Sequence, residues 1–190
     1  MTQQPVRVAV LVSGGGTNLQ VLLDALHDSP LARVARVISN RPDAGALDRA
    51  RSAAIPTIVL RDPNNPTELH SALGDAQLVV LAGYLKLVPA SVVARFRGRM
   101  INIHPALLPD FGGPGMYGHR VHEAVLASGA RESGATVHFV DENFDRGAII
   151  AQEKVPVQKG DDAGTLAARV LEAEHRLLPK VVLELAGRIS

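Results

Sequence analysis

An apolar run near the start of the chain, Val6-Arg7-Val8-Ala9-Val10-Leu11-Val12, leads directly into Ser13-Gly14-Gly15-Gly16-Thr17-Asn18. A strand made almost wholly of apolar residues is typical of the centre of a parallel sheet, where helices cover both faces. After the glycines, leucines recur at helical spacing, at Leu19, Leu22, Leu23 and Leu26. The sequence therefore predicts a buried strand, a tight glycine turn and a helix.

The same alternation continues through the first half of the chain. Strands are predicted at residues 33–39, 57–60, 78–82 and 100–104, with helices near 44–53, 66–73 and 89–96. Short strands that alternate with helices favour right-handed crossovers and a doubly wound sheet. The second half predicts a helix near 119–127, strands at 134–140 and 148–157 joined by 141–147, and a terminal helix from 163 to 185 with an irregularity near Pro179.

Composition narrows the classes of function. Lys and Arg number 20 against 19 for Asp and Glu, so no overall basic field indicates nucleic-acid binding. The absence of Cys excludes disulfides, thiolate metal sites and a cysteine nucleophile. Residues 1–5 lack the features of a signal peptide, and no apolar run is long enough to span a bilayer. We therefore expect a cytoplasmic protein with no membrane partner.

Asn102-Ile103-His104-Pro105 carries the clearest chemical signal. In extended backbone, residues i and i+2 project to the same face, so Asn102 and His104 are expected to converge. An amide donor for an oxyanion beside a proton-transfer group suits acyl transfer. Pro105 favours extended geometry at His104, at a strand end where sites form in open α/β sheets. A strand-terminal histidine with only a structural role is the alternative.

The glycine turn at residues 13–18 predicts a phosphate site. Its glycines let backbone N–H groups approach an anion at the start of a helix. It lacks the Gly-Lys-Ser/Thr ending of a Walker A loop, and Leu19 occupies the place where a dinucleotide fingerprint needs its third Gly. A mononucleotide-like or sugar phosphate fits better, and a ligand-free strand-to-helix turn is the alternative.

An acidic segment at residues 141–147 offers a partner for His104. It contains Asp141, Glu142 and Asp145, and spacing alone does not choose among them. A carboxylate there would raise the pKa of the imidazole and orient a water. His138, in the preceding strand, is expected to be a supporting residue.

Two further pairs of titratable residues are weaker candidates for a functional site. His119 and His122 are spaced like metal ligands on a helix, but no third ligand accompanies them and no metal is expected. Glu174 and His175 lie on the terminal helix, where exposed charge is the default interpretation.

Several motifs, in this order, resemble those of the phosphoribosylglycinamide formyltransferase family, the folate-dependent glycinamide ribonucleotide transformylases. They are residues 13–18, 39–41, 81–87, 102–109, 137–140 with 145–147, and 174–175. The resemblance covers nearly the whole chain. It implies a single formyltransferase domain over residues 1–190, with a doubly wound, mostly parallel sheet, helices on both faces and an antiparallel C-terminal portion.

The resemblance also implies an activity and a set of residues. The expected reaction moves a formyl group from 10-formyltetrahydrofolate, as co-substrate, to the amino group of glycinamide ribonucleotide, in purine biosynthesis and without a metal. The implied catalytic residues are Asn102, His104 and Asp145. The implied residues for glycinamide ribonucleotide are Gly16, Thr17, Asn18, Leu171 and Glu174. Those implied for the folate are Leu85, Lys86, Leu87, Val88, Asn102, Asp141, Glu142, Asn143, Phe144 and Asp145.

Three other functions compete with this expectation. A formyltetrahydrofolate hydrolase resembles this pattern but carries an extra N-terminal regulatory module. A methionyl-tRNA formyltransferase carries an additional C-terminal tRNA-binding domain. A non-catalytic nucleotide-binding module would use only the glycine turn and would leave Asn102, His104 and Asp145 without a role. Ligand contacts of residues 112–118 and a basic contact to the folate tail within 61–67 are not assigned, and the oligomeric state stays open.

Overall fold

The computed structural model describes residues 4–189. Seven strands occur in that part of the chain: β1 (Val6–Val12), β2 (Ala32–Ser39), β3 (Thr57–Val59), β4 (Leu78–Leu81), β5 (Met100–His104), β6 (Glu132–Phe139) and β7 (Ile149–Pro156). The helices are α1 (Thr17–Leu26), α2 (Gly45–Ser52), α3 (Pro66–Leu73), α4 (Ala90–Arg95), α5 (His119–Ala127) and α6 (Ala163–Ile189). Because Met1 to Gln3 are not described, the expectation about residues 1–5 lies largely outside the structure.

All seven strands form one sheet in the order β3-β2-β1-β4-β5-β6-β7. The pairs among β1 to β5 are parallel, whereas β6 is antiparallel to β5 and β7 is antiparallel to β6. The expected doubly wound, mostly parallel sheet with an antiparallel C-terminal portion is confirmed. The chain winds outward in one direction from β1 through β3 and then in the other from β4, so the switch point lies between β1 and β4.

Two hydrophobic cores cover the two faces of the sheet. Alternate β1 residues point to opposite faces: Val8 and Val10 join the core that includes α1, α2 and α6, and Ala9 and Leu11 join the core that includes α3 and α4. All four side chains are fully buried. A strand buried on both faces needs an unbroken apolar run, which explains the composition of β1.

The terminal helix differs from the expectation. The helix is predicted to end at residue 185, but α6 continues to Ile189 and contains Pro179, where an irregularity is predicted. Proline removes one backbone N–H donor from a helix. The buried side chains of Leu178, Val181 and Val182 hold the same stretch against the sheet. Tertiary packing therefore outweighs the local cost of the proline.

The carboxyl ends of β1, β4 and β5 meet at one edge of the sheet, where sites form in open α/β folds. Residues 13–18, 82–88 and 105–118 follow these three strands and surround that edge. None of the described helices is both long and apolar enough to cross a membrane.

Candidate active site

A cavity of about 230 Å³ opens at the carboxyl ends of β4 and β5. Its walls come from the segment after β4, the end of β5, the glycine-rich loop before α5, the turn between β6 and β7, and α6. Three of its lining residues are the predicted catalytic set, Asn102, His104 and Asp145. The sequence expectation that these side chains share one site is therefore met in position.

The end of β5 presents Asn102 and His104 to this cavity. Their antiparallel partners on β6 are His138 and Thr136, respectively. Because i and i+2 of a strand share a face, one wall of the cavity receives both side chains. His104 is 3% exposed, and Asn102 is half-buried.

Asp145 bridges the two β5 residues. One carboxylate oxygen, Oδ1, accepts a 3.3 Å hydrogen bond from Asn102 Nδ2, and the other, Oδ2, lies 3.5 Å from His104 Nδ1. Its backbone φ is 55°, a left-handed conformation that Asp and Asn tolerate better than other side chains with a Cβ. The turn thereby directs this carboxylate, rather than those of Asp141 or Glu142, at His104.

His138 orients the amide of Asn102. Its Nδ1 lies 2.8 Å from the carbonyl oxygen of Phe139, so Nδ1 carries the hydrogen and donates it. The other ring nitrogen, Nε2, then accepts a 3.1 Å hydrogen bond from Asn102 Nδ2. The two hydrogens of Asn102 Nδ2 are thus directed at His138 and, through the longer 3.3 Å bond, at Asp145. The expected supporting role of His138 thus has a specific geometry.

The loop after β5 returns to hold the catalytic residues with its backbone. The Phe111 carbonyl oxygen lies 2.9 Å from His104 Nε2, and Gly113 N donates to Asp145 Oδ2 at 3.0 Å. Since a carbonyl only accepts, His104 Nε2 carries a hydrogen, and Nδ1 is the nitrogen that can exchange a proton.

Hydrogen bonds with two polar side chains, Thr136 and Gln152, fix the first part of this loop. The Thr136 hydroxyl donates to Ala106 O at 2.7 Å and accepts from Leu108 N at 3.1 Å. Gln152 Nε2 lies 2.9 Å from both Leu108 O and Thr136 Oγ1. These bonds come from β6 and β7, so the sheet itself sets the path by which the loop leaves His104.

Burial controls the charge of His104. Desolvation lowers its pKa, and this effect exceeds the opposing influences of the Asp145 carboxylate and the Phe111 carbonyl, which raise it. Asp145 thus raises the pKa of His104 as expected, but burial outweighs this influence and the net shift is downward. A neutral imidazole beside a carboxylate is suited to accept a proton and to be stabilised once it has done so.

Asp145 keeps its charge in this setting. Burial alone would raise its pKa, but the neighbouring imidazoles of His138 and His104 and the hydrogen bond from the amide of Gly113 together lower it. The site therefore contains an ionised carboxylate that is only 9% exposed, with an amide and two imidazoles around it.

The geometry can be compared with proteins of known family. The family model described as formyl transferase matches residues 6–182. A phosphoribosylglycinamide formyltransferase from Haemophilus influenzae is 42% identical over 185 residues, which cover 93% of this chain and 85% of the relative.

The chain belongs to the formyl transferase family.

Structural comparison agrees with the sequence match. The crystal structure of phosphoribosylglycinamide formyltransferase from Anaplasma phagocytophilum superposes with a TM-score of 0.89 at 38% identity, covering 96% of this chain and 87% of that one. The chloroplastic phosphoribosylglycinamide formyltransferase of Arabidopsis thaliana is 46% identical over 93% of this chain, which spans 64% of that relative's length. The resemblance to this family, expected from the motifs, is confirmed.

The residues expected to bind glycinamide ribonucleotide separate into two groups. Asn18 and Glu174 line the cavity and are joined by a 3.3 Å hydrogen bond from Asn18 Nδ2 to Glu174 Oε1. Gly16, Thr17 and Leu171 do not line it. Burial raises the pKa of Glu174 to about 7, so this carboxyl is close to its titration point at neutral pH. The default expectation of exposed charge at Glu174 is wrong, because this residue is 7% exposed.

The glycine turn is built around one conformational requirement. Gly16 has a φ of 77°, and a Cβ at this position would lie 2.6 Å from the Cβ of Ala46. Both the left-handed backbone and the close approach of α2 demand glycine. Gly16 is also the N-cap residue of α1 and supplies no side-chain cap, so the first amides of α1 lack the usual side-chain acceptor there.

The segments expected to bind folate lie mainly on the cavity wall. The lining includes Leu85, Lys86, Leu87, Val88, Asp141, Asn143 and Phe144, whereas Glu142 lies outside it. Leu85 and Leu87 are exposed apolar side chains at the cavity mouth. An exposed apolar rim with polar groups deeper inside is typical of a site for a ligand with an aromatic ring system.

Two features of the site lay beyond sequence reasoning. The groups that hold His104 and Asp145 are the backbone carbonyl of Phe111 and the backbone amide of Gly113. Nearly every residue has these backbone groups, so the residue types do not reveal the contacts. The glycine-rich composition of residues 110–118 signalled a functional loop without indicating these contacts. Among residues 4–189, no group of three or more His, Asp or Glu side chains is arranged to hold a metal ion.

Proposed function

We propose that this chain transfers the formyl group of 10-formyltetrahydrofolate to the amino group of glycinamide ribonucleotide, giving formylglycinamide ribonucleotide and tetrahydrofolate. The observation that carries the proposal is the bridge of Asp145 to both Asn102 and His104 in the cavity at the end of β5. Family membership supports the same reaction. Because the chain spans 64% and 59% of the length of two plant relatives, their activity is attributed to it as a proposal.

The chemistry starts with attack of the substrate amine on the formyl carbon. A new carbon–nitrogen bond forms, and the formyl oxygen becomes an oxyanion. Asn102 Nδ2 donates a hydrogen bond to this oxygen, using the hydrogen that otherwise points at Asp145 Oδ1, 3.3 Å away. Removing such a donor typically costs about 10²–10³ in turnover.

Proton movement then allows the intermediate to collapse. His104 Nδ1 takes the proton from the attacking nitrogen, and the resulting imidazolium is stabilised by Asp145 Oδ2 at 3.5 Å. The same proton passes to N10 of the folate, directly or through a water on Asp145, as the bond from the formyl carbon to N10 breaks. The lowered pKa of His104 suits the first step, and the nearby carboxylate suits the second.

We assign the parts of the two substrates to the segments around the cavity by the chemical character of their residues. The first amides of α1, with Gly16, Thr17 and Asn18, hold the ribose phosphate, and Leu171 and Glu174 contact the ribose and glycinamide end. Leu85, Lys86, Leu87, Val88 and residues 141–145 hold the pterin of the folate. We further propose a single domain over residues 1–190 and a reaction that needs no metal. A cytoplasmic location stays a prediction.

Product formation tests the proposal. Purified protein is mixed with 10-formyltetrahydrofolate, with and without glycinamide ribonucleotide, and tetrahydrofolate release is followed. We expect release only when the amine is present. Equal release without the amine would identify a hydrolase instead, and no release under either condition would refute transfer altogether.

A further inference from the structure

The buried hydroxyl of Ser13 joins three loops that otherwise have separate roles. Ser13 ends the apolar run of β1 and is 2% exposed. Its Oγ donates to Asn40 Oδ1 at 2.5 Å and accepts a hydrogen bond from Leu85 N at 2.9 Å. Its backbone N donates to Gly83 O at 3.0 Å. One side chain thus links the glycine turn, the end of β2 and the segment after β4.

The hydrogen bonds of Ser13, called here the Ser13 bridge, lie at the point of the sheet where ligands usually bind. β1 and β4 are the neighbouring strands between which the winding direction reverses. Ligands bind at such a switch point because the loops on either side diverge and leave a crevice. Ser13 spans the base of the crevice, with the proposed phosphate turn on one side and the proposed folate segment, residues 85–88, on the other.

The turn formed by Ser39, Asn40 and Arg41 fixes the position of Asn40 for its hydrogen bond with Ser13. The Ser39 hydroxyl donates to Arg41 O at 2.9 Å and accepts from Arg41 N at 3.0 Å, which fixes the backbone on both sides of Asn40. Since Asn40 Oδ1 takes the hydroxyl hydrogen, the lone pairs of Ser13 Oγ are free to accept from Leu85 N. The Ser39-Asn40-Arg41 motif thereby has a structural purpose that the reaction itself does not supply.

We propose that Ser13 is a positioning residue that holds the folate-binding segment at residues 85–88 in register with the phosphate-binding turn, with Asn40 orienting its hydroxyl. The proposal rests on the function assigned above to those two segments. Ser13 touches neither substrate, so its effect is on the affinity for the formyl donor. The phosphate ligand is bound by the backbone of residues 16–18. The carbonyl oxygens of the preceding Gly14 and Gly15 keep their hydrogen bonds from Ala46 N and Arg49 Nε of α2 when the hydroxyl is removed.

The size of the effect follows from one hydrogen bond. Loss of the acceptor for Leu85 N costs about 1 to 1.4 kcal/mol, because that hydrogen bond holds the binding-competent conformation. That energy corresponds to about a 5- to 10-fold weaker affinity for the donor. Turnover at saturating donor stays within about 2-fold, because Asn102, His104 and Asp145 are untouched.

Ser133→Ala is a matched control for Ser13→Ala. Ser133 is 1% exposed, lies on β6 and has no hydrogen-bond partner for its hydroxyl. Both variants remove one hydroxyl from an equally buried serine. The difference between them therefore isolates the Ser13 bridge from the general effect of a buried Ser→Ala change.

The experiment measures binding and kinetics in both variants and in Asn40→Ala. The dissociation constant of 5-formyltetrahydrofolate, which carries its formyl group on a nitrogen unsuited to transfer, is obtained by calorimetry. That of ribose 5-phosphate is measured in parallel. We expect about a 5- to 10-fold weaker folate affinity and a matching rise in donor KM for Ser13→Ala, with ribose 5-phosphate affinity and kcat changed less than about 2-fold.

If Ser13→Ala folds poorly, Asn40→Ala alone tests the bridge, because it removes the acceptor that orients the Ser13 hydroxyl and should also weaken folate binding. A double-mutant cycle tests whether the two side chains act as one unit. Ser13→Ala combined with Asn40→Ala is expected to weaken folate binding no more than Ser13→Ala alone, since both act through one hydroxyl. Unchanged folate affinity in Ser13→Ala, the same loss in Ser133→Ala, or fully additive effects would each overturn the proposal. The binding arm needs no catalysis, so a wild-type protein that binds both probes but transfers nothing would refute the proposed function and leave this inference to be judged separately.

Discussion

Replacing Asp145 with Asn tests how the site controls its proton. Asn has nearly the same shape and tolerates the φ of 55° at this position, so the change removes charge while keeping the turn. His104 Nδ1 lies 3.5 Å from Asp145 Oδ2, with both side chains nearly buried. Coulomb's law gives about 1 kcal/mol for such a pair in water and about 5 kcal/mol at an effective dielectric constant of 20.

The loss of this interaction has two measurable consequences. The pKa of His104, already lowered by burial, should fall further because the imidazolium loses its counter-charge. Turnover should drop by about 10²-fold or more, since the proton accepted from the amine is no longer stabilised. The ring resonances of His104, assigned by comparison with His104→Gln, are titrated by NMR, and kcat is measured on the same samples.

Glu142→Gln provides the matched control for the titration. Glu142 also belongs to the turn between β6 and β7, but it is exposed and lies outside the cavity lining. We expect its replacement to leave the His104 titration nearly unchanged, because solvent screens a distant exposed charge. An unchanged His104 titration in Asp145→Asn, or an equal shift in Glu142→Gln, would refute Asp145 as the specific partner.

Three further predictions follow from the same geometry. His104→Ala and Asn102→Ala should each lower kcat by about 10²-fold or more with smaller effects on KM, and near-normal turnover in a folded variant would remove that residue from the mechanism. Glycinamide ribonucleotide should raise the melting temperature far more than its dephosphorylated nucleoside, and Gly16→Val should abolish this difference; equal protection by both compounds would exclude a phosphate site. Glu174 has a pKa raised to about 7, so its stabilisation is complete below about pH 4.5 and is lost as pH rises through 7. Glu174→Gln should therefore gain stability over wild type by up to about 3 kcal/mol at pH 8 and show little difference at pH 5, and parallel melting curves across that range would contradict this.

The layout of the sheet was predictable because a strand that is buried on both faces requires an unbroken apolar run in the sequence. The run from Val6 to Val12 is apolar at nearly every position, and β1 occupies those residues in the structure. The convergence of Asn102 and His104 followed equally from the two-residue period of a strand. The terminal helix extends beyond its predicted end at residue 185 to Ile189, because its packing against the sheet outweighs a local backbone preference.

The partners of these residues were less predictable because they depend on long-range geometry. Asp145 was one of three acidic residues in a short segment, and only its left-handed backbone directs it at His104. The net pKa of His104 depends on the burial around it, which no local pattern encodes. The contact of Ser13 with Leu85 spans 72 positions in sequence and involves a backbone amide, so residue types alone do not reveal it.

The fate of the formyl carbon tests the central claim most directly. 10-Formyltetrahydrofolate labelled with ¹³C in its formyl group is incubated with the protein and glycinamide ribonucleotide, and ¹³C NMR follows the label. We expect the label to appear in the amide of formylglycinamide ribonucleotide and its transfer to be lost in His104→Ala. Label recovered as free formate at the same rate with and without the amine would contradict formyl transfer.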